Sequence, residues 1–408
     1  MIASSTQMLP LNNPRSISVP IHDRSEASAL ANPWNNRSAS AAIVVALLVG
    51  VIGALSLSSR SPVPEVESQS PQGQTKPAIR WRTPVAFGTN LPALGDNILY
   101  VAEALKTSTD GRILLDVYEP GMLVPAFSIT ESVRDGKLEA GYTWLGYDQG
   151  RIPATPLIAA VPFGMEPWEY SAWYFEAGGK ALVENLYEPH NVHPILCGLI
   201  GPETAGWFTF PIARLDDFEG LKIRFAGLGG RVLQQLGASV TLIPGGEIYQ
   251  ALEKGAIDAT EFSLPNVDQR LGFADVAKYN YFPGWHQTFT AFHLVVNRDT
   301  WMQLPLSDQS LIEIACTAGV TRNLARGEAL QGAVIEGFGA LGVTPVRFGR
   351  DLLKALQQVS HEVLQAEADK DEDFALIWAS QREFLETYGT WKSFAYLPRD
   401  FDQMADKE

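Results

Sequence analysis

Cysteine is scarce in this chain: Cys197 and Cys316 are the only two in 408 residues, and they sit far apart in the apolar phrases PILCGLI and IEIACTA. No cysteine–histidine cluster has the spacing of a zinc site. The two thiols read first as small buried hydrophobes, with a long-range disulfide as the lesser alternative. Positive charge is short as well. With 31 Lys and Arg against 46 Asp and Glu, the formal net charge is −15, which repels a phosphate backbone and excludes nucleic acid as a partner. Catalytic signatures are also missing. In GLGGRVLQQLG, Val232 stands where a dinucleotide fingerprint needs its third glycine. There is no Walker A loop and no G-x-S-x-G elbow, and the run from His361 to Gln365 lacks the second histidine of a zinc-protease helix. His190 and His193 fall in a loop-like stretch and read as solvated. With no activated nucleophile and no spaced acid–base pair, the sequence indicates no catalysis.

What is present begins with an uncharged apolar run over 41–57, AAIVVALLVGVIGALSL, with Arg37 before it and Ser58, Ser59 and Arg60 after it. It suits the apolar region of a secretory signal, with Ala54 and Ser56 as a small-x-small cleavage site. The long tail before it keeps an uncleaved membrane anchor open, since a spanning helix needs about 20 residues. Either way the remainder lies outside the cytoplasmic membrane, in the periplasm. Residues 1–40, rich in Ser, Asn and Pro, read as a disordered tail, and 58–78 as a Pro/Gln/Ser linker.

From Ile79 onward short apolar strands alternate with helical patterns. RWRTPVAFG and ILLDVYEPG read as strands flanking a helix in LGDNILYVAEALKTSTDGR, an order that implies a mostly parallel α/β sheet. Helices are expected over 166–188, 230–236, 307–332, 351–368 and 373–388, the last with a heavy aromatic load that serves either core packing or docking of a second subunit.

The block from Leu221 to Phe262 holds the chemistry. Strand alternation in LKIRF sets Lys222 and Arg224 opposite Leu221, Ile223 and Phe225. A guanidinium at a strand end can clamp a carboxylate or form a surface salt bridge. Glu261, closing AIDATEF, can pair with an internal arginine or hold a cation. Aligned on Gly136 and Gly255, KLEAG echoes AIDAT: each phrase follows an amphipathic helix opened by a Pro-Gly turn, which implies two similar lobes.

The runs GPETAGWFTFPIARLDDFEGLKIRFAGLGG and PGGEIYQALEKGAIDATEF, with AAVPFGMEPWEYSAWYFEAGG and KYNYFPGWHQTFTAFHLVVN, resemble the solute-binding subunit of tripartite ATP-independent periplasmic (TRAP) transporters, in the branch that binds 2-oxo acids and related monocarboxylates. The likeness spans about Ile79 to Leu397. It implies an α/β, two-lobed periplasmic-binding-protein-like fold with a ligand cleft between the lobes. Lobe one would comprise 79–200 plus 290–332, and lobe two 201–289 plus 333–398 with the C-terminal helices. By the same resemblance Arg224 is the carboxylate clamp. Glu203, Glu261 and the main chain of Phe262 would hold a sodium or calcium ion, and Tyr147 would contact the ligand. Aromatic walls such as Trp207, Phe262 and Trp285 would select ligand size, with core packing as the alternative for these rings. Two residues depart from the family pattern: Glu203 stands for a glutamine and Phe262 for a tryptophan. Two carboxylates around one monovalent ion leave surplus negative charge, so Glu203 favours calcium, or else an ammonium group on an amino-acid ligand. Integral-membrane transporter subunits are the implied partners, with a homodimer through the C-terminal helices. A membrane-anchored sensory receptor and a two-lobed hydrolase or lyase are the competing readings.

Overall fold

The structure, a computed structural model, describes residues 78–397 and Arg399. The tail, the apolar run 41–57 and most of the linker lie outside the described residues. Among the described residues no helix is long and apolar enough to cross a membrane.

Among the described residues eleven strands form the scaffold: β1 Ile79–Pro84, β2 Ile113–Tyr118, β3 Ala140–Thr143, β4 Val192–Ile200, β5 Gly206–Phe208, β6 Lys222–Arg224, β7 Ser239–Thr241, β8 Ala259–Thr260, β9 Tyr279–Phe282, β10 Thr290–Asn297 and β11 Thr344–Arg347. In the first lobe β1 pairs with β2, and β10 lies between β3 and β4. A single parallel bridge, Val85 to Tyr142, joins the two groups. The second lobe is one sheet in the order β11-β9-β5-β8-β6-β7.

Parallel pairing, as the β-α-β order implied, holds for β1 with β2 and for three of the five pairings in the second lobe, β11-β9, β8-β6 and β6-β7, but antiparallel pairs interrupt it. β10 runs antiparallel to β3 and β4, and β5 runs antiparallel to β8 and β9. The cause is the pair of crossings between lobes. The chain leaves the first sheet at the end of β4 and enters the second at β5; it returns from β9 to β10. The two crossings run side by side, tied by Glu203 N–H to Gln287 O at 3.2 Å and Ala205 N–H to Tyr281 O at 2.7 Å. Strands that change sheets together in opposite directions must pair antiparallel.

The 32-residue helix Leu306–Gly337 packs along β4 and against the helices Asn97–Ser108 and Pro265–Arg270, so it touches elements of both lobes. Cys197 on β4 and Cys316 on this helix form a disulfide across 119 residues of sequence. That corrects the reading as two separate buried hydrophobes: the apolar phrases mark the strand and helix faces that pack together, and packing brings the sulfurs into contact. His193 is likewise not a solvated loop residue. It lies in β4, and its ring stacks on Trp301 with centroids 4.3 Å apart.

The aromatic segment 166–188 breaks into two helices, Pro167–Glu176 and Gly179–Tyr187, at Gly178, whose φ of 86° only glycine adopts readily. The C-terminal helix Glu372–Ala395, grouped by sequence with the second lobe, packs against elements of the first. Trp173 Nε1 donates to Ser380 Oγ at 3.1 Å, Gln381 Nε2 donates to Leu157 O at 2.8 Å, and Lys392 pairs with Glu169 at 2.7 Å. It packs as well against the helix Arg350–Ala368.

Candidate functional site

Arg224 ends β6, and β8 is its parallel neighbour, with Arg224 in register with Thr260. Glu261 is therefore the next residue along, and its N–H donates to Arg224 O at 3.1 Å. Both side chains turn inward and are almost fully buried. The guanidinium Nη1 donates to Glu261 Oε1 and to Glu261 O, each at 2.8 Å, while Nε donates to Ile243 O at 3.1 Å. Ala226 N–H also donates to Glu261 Oε1, at 2.6 Å. The surface salt bridge considered for Arg224 is therefore excluded. The arginine is internal and paired, and such a pair is held only where geometry and extra hydrogen bonds offset desolvation. The Phe262 ring lies under the guanidinium, 5.3 Å from Cζ.

Glu203 arrives on the other crossing. Thr290 Oγ1 donates to its Oε1 at 2.8 Å. With its nitrogen turned to the carboxylate, the Gln287 amide donates to the same oxygen at 3.1 Å. Burial first, then the neighbouring Glu261, pushes the Glu203 carboxyl well above the usual range. Burial also raises Glu261, against the pull of Arg224. A third carboxylate, Asp268, accepts from Trp207 Nε1 at 2.9 Å and from Ser263 N–H at 3.1 Å, and burial raises it to about 8. Arg224 is the only buried lysine or arginine among the described residues. Three buried carboxyl groups share one guanidinium, so without a further cation Glu203 and Asp268 are held in the protonated, neutral form.

Arg224, Glu203 and Glu261 face a cavity of about 20 Å³, together with Gln287 and Thr290. Its apolar wall is Phe87, Leu94, Trp144, Tyr147, Phe262 and Phe292. The space is of the order of one water, so the lobes as they stand enclose room for only a few heavy atoms. Trp144, from the first lobe, reaches across to the second, and a Cβ on Gly227 would lie 3.0 Å from its ring. Tyr147 packs edge-on to Trp144 with centroids 5.1 Å apart, and burial pushes its hydroxyl up to about 12.

Of the residues expected at the site, Arg224, Glu203, Glu261, Phe262 and Tyr147 converge on this cavity. Trp207 and Trp285 do not. The Trp207 indole is fully buried, with its N–H on Asp268 and its ring against Phe338, and Trp285 packs between Phe225 and Phe163 in the second lobe's core. Trp207 lies in β5 and Trp285 in the turn between β9 and β10, and the packing of each ring takes it into the core, away from the cleft. The walls that sequence reasoning missed are Phe87, Trp144 and Phe292, and the missed polar groups are Gln287, Thr290 and His286. The phrase PGWHQTFT offered a signal: polar side chains packed into a short apolar run at a lobe crossing.

His286 lies behind Glu261. Its Nε2 is 4.0 Å from Glu261 Oε2, and its ring meets Phe225 edge-on. Burial, then Arg224, lowers its pKa to about 3. Glu261 Oε2 and both His286 nitrogens are buried without a hydrogen-bond partner. Unpaired buried polar atoms in a native fold call for a ligand, an ion or water.

Comparison with known proteins identifies the family. Residues 89–371 match the model of the DctP family, described as bacterial extracellular solute-binding protein, family 7. A monocarboxylate 2-oxoacid-binding periplasmic protein of Nostoc sp. is 32% identical over 319 residues, covering 77% of this chain and 86% of that protein. A TRAP solute-binding protein of Bordetella bronchiseptica, crystallised as a mixed-occupancy dimer with calcium and picolinate, superposes with a TM-score of 0.76 at 30% identity, over 78% of this chain and 95% of that one. A TRAP periplasmic solute-binding protein of Pseudoalteromonas atlantica with bound sodium and pyruvate gives 0.76 at 29% identity, over 81% and 100%. The buried arginine, the carboxylate pair and the two-lobed fold thus sit in a chain that belongs to the bacterial extracellular solute-binding proteins of family 7, the receptors of TRAP transporters.

Proposed function

We propose that this receptor binds a small monocarboxylate, a 2-oxo or 2-hydroxy acid, with Arg224 taking the carboxylate and a metal ion bridging ligand to protein. The observation that carries the reading is the excess of buried carboxyl groups over guanidinium around a water-sized cavity. Glu203, Glu261 and the carbonyl of Phe262 would hold the ion. A bound cation supplies positive charge that neutralises the carboxylates and gives the ligand oxygens a second electrophilic partner. Two carboxylates in one site favour calcium over sodium. The apolar wall of Phe87, Leu94 and Phe292 offers no second cation, which disfavours dicarboxylates.

Binding would close the lobes over the ligand and present the loaded form to integral-membrane TRAP subunits. The role is that of a periplasmic receptor, not a catalyst. Trp391, Phe394 and Leu397 at the end of the C-terminal helix are exposed, which suits contact with a second copy of the chain. Light scattering of the parent and of Phe394→Asp would test it: a monomeric parent would sink the dimer.

A thermal-shift screen tests the central reading. Pyruvate, lactate and alanine are each added to chelator-treated protein with sodium, with calcium, or with neither. Ligand at a hundredfold excess over Kd is worth about 2.7 kcal/mol, and the rise in Tm should need acid and ion together. An equal rise without any ion would remove the bridging metal from the account. A response to alanine alone would instead place an ammonium group at Glu203.

A further inference from the structure

We propose that His286 is a third side-chain donor to the ion at Glu203 and Glu261, and that its nitrogen turns the site toward borderline divalent ions such as Mn²⁺. The ion itself belongs to the metal-bridged reading above, on which the role of His286 rests.

Three observations converge. The His286 ring nitrogen and carboxylate oxygens of Glu203 and Glu261 all lie within 4.8 Å of one another, and all three residues are buried. Donors that share one ion at about 2.0–2.4 Å cannot be further apart than about twice that bond length, so the set fits a single ion. Second, the free valences point the same way. Glu261 Oε1 is already taken by Arg224 and Ala226, whereas Oε2, 4.0 Å from His286 Nε2, has no partner, and neither has Nε2. Third, the fold makes room for this histidine. A Cβ on Gly229 would come within 2.6 Å of His286 Cβ, so the glycine-rich start of the helix Gly227–Gln235 lets the imidazole reach Glu261. That gives a structural use to the GLGG phrase, which is no dinucleotide fingerprint.

The chemistry follows from donor type. Sodium and calcium are hard ions that take oxygen ligands, whereas imidazole suits transition ions. A site with two carboxylates and one imidazole should hold Mn²⁺ more tightly than calcium, although its oxygens alone would suit either.

The test uses the full chain, stripped with chelator and loaded with Mn²⁺ and pyruvate. Pulsed electron paramagnetic resonance of the parent should show the ¹⁴N coupling of a directly bound imidazole, and His286→Gln should lose it. In titrations the Kd for Mn²⁺ should rise about tenfold or more in His286→Gln, while that for calcium moves by less than about threefold. His286→Leu, of similar volume, should repeat the loss, and circular dichroism of the metal-free variants shows whether each is folded. Should neither variant fold, the coupling in the parent decides alone. Mn²⁺ bound in a pyruvate-dependent way but without nitrogen coupling overturns the role of His286 and leaves the arginine-and-metal reading standing. The absence of any pyruvate-linked metal binding overturns both.

Discussion

Two helix–glycine–strand units of this protein share one backbone design and carry different chemistry. In the first, the helix Ile129–Arg134 ends at Gly136 (φ 68°) and leads into β3; in the second, Gly245–Glu253 ends at Gly255 (φ 66°) and leads into β8. The closing hydrogen bonds match residue for residue. Gly136 donates to Val133 O and Gly255 to Leu252 O, both at 3.0 Å. Lys137 and Leu138 share Ser132 O, as Ala256 and Ile257 share Ala251 O. This is the left-handed glycine C-cap. In that alignment Tyr142 falls on Glu261. The Tyr142 hydroxyl accepts from Asn97 Nδ2 at 3.3 Å within the first lobe, and the unit meets the cavity only beyond the strand, at Trp144 and Tyr147. Glu261 meets the cavity directly. One unit builds a wall and the other a charge. The cap fixes where the strand points; the residue at its end decides the chemistry.

The largest break should come from the charged unit. Arg224→Ala removes the proposed clamp and leaves Glu261 without its charged partner. Pyruvate affinity should fall by about 2–5 kcal/mol, roughly 30-fold to more than 1,000-fold, in calorimetry. Retention of parental affinity would sink the clamp.

The next effect is on pH. Asp268 has its pKa raised from 3.8 to about 8, and Glu203 is raised in the same direction. Between those values the folded state keeps a proton that the unfolded chain has released, so stability is full below 3.8 and is lost as pH rises toward 8. Metal-free protein should therefore melt at lower temperature at about pH 8 than at about pH 5, and Asp268→Asn should flatten that slope. Added calcium should restore the loss at high pH. A metal-free Tm that climbs with pH would contradict the burial of these carboxylates.

On the wall unit, Trp144→Phe keeps an aromatic ring but shortens the reach to Gly227. Pyruvate affinity should drop about tenfold or less, near 1.4 kcal/mol, with calcium affinity of the ligand-free protein unchanged. A loss as deep as that of Arg224→Ala would erase the division between wall and charge. Smallest of all, Gly136→Ala and Gly255→Ala each force an L-residue into a left-handed turn with open space around it. Each should cost about 1 kcal/mol in chemical denaturation and leave pyruvate binding intact. Markedly unequal costs would show that the two caps are not equivalent.

Much of this was legible in the residues themselves. The helix over 351–368, the glycine turns and the alternation in LKIRF are local patterns, and the structure places Arg350–Ala368 and Lys222–Arg224 there. Arg224 and Glu261 announce themselves because a charge in an apolar strand is costly without a partner. Their pairing was only one of the options, since it depends on β6 and β8 being neighbours across 37 residues.

Local order thus came from sequence alone: which segments are strands and helices, which glycines turn the chain, which charged residues stand in apolar surroundings. Only the tertiary structure decided which aromatics face the cavity, Trp144 and Phe292 in place of Trp207 and Trp285, and that Cys197 meets Cys316. It also brought His286 to Glu261. The reason is geometric. Backbone periodicity is set by neighbours a few residues away, whereas the direction of a side chain at a lobe crossing is set by how two sheets, distant in sequence, pack against each other.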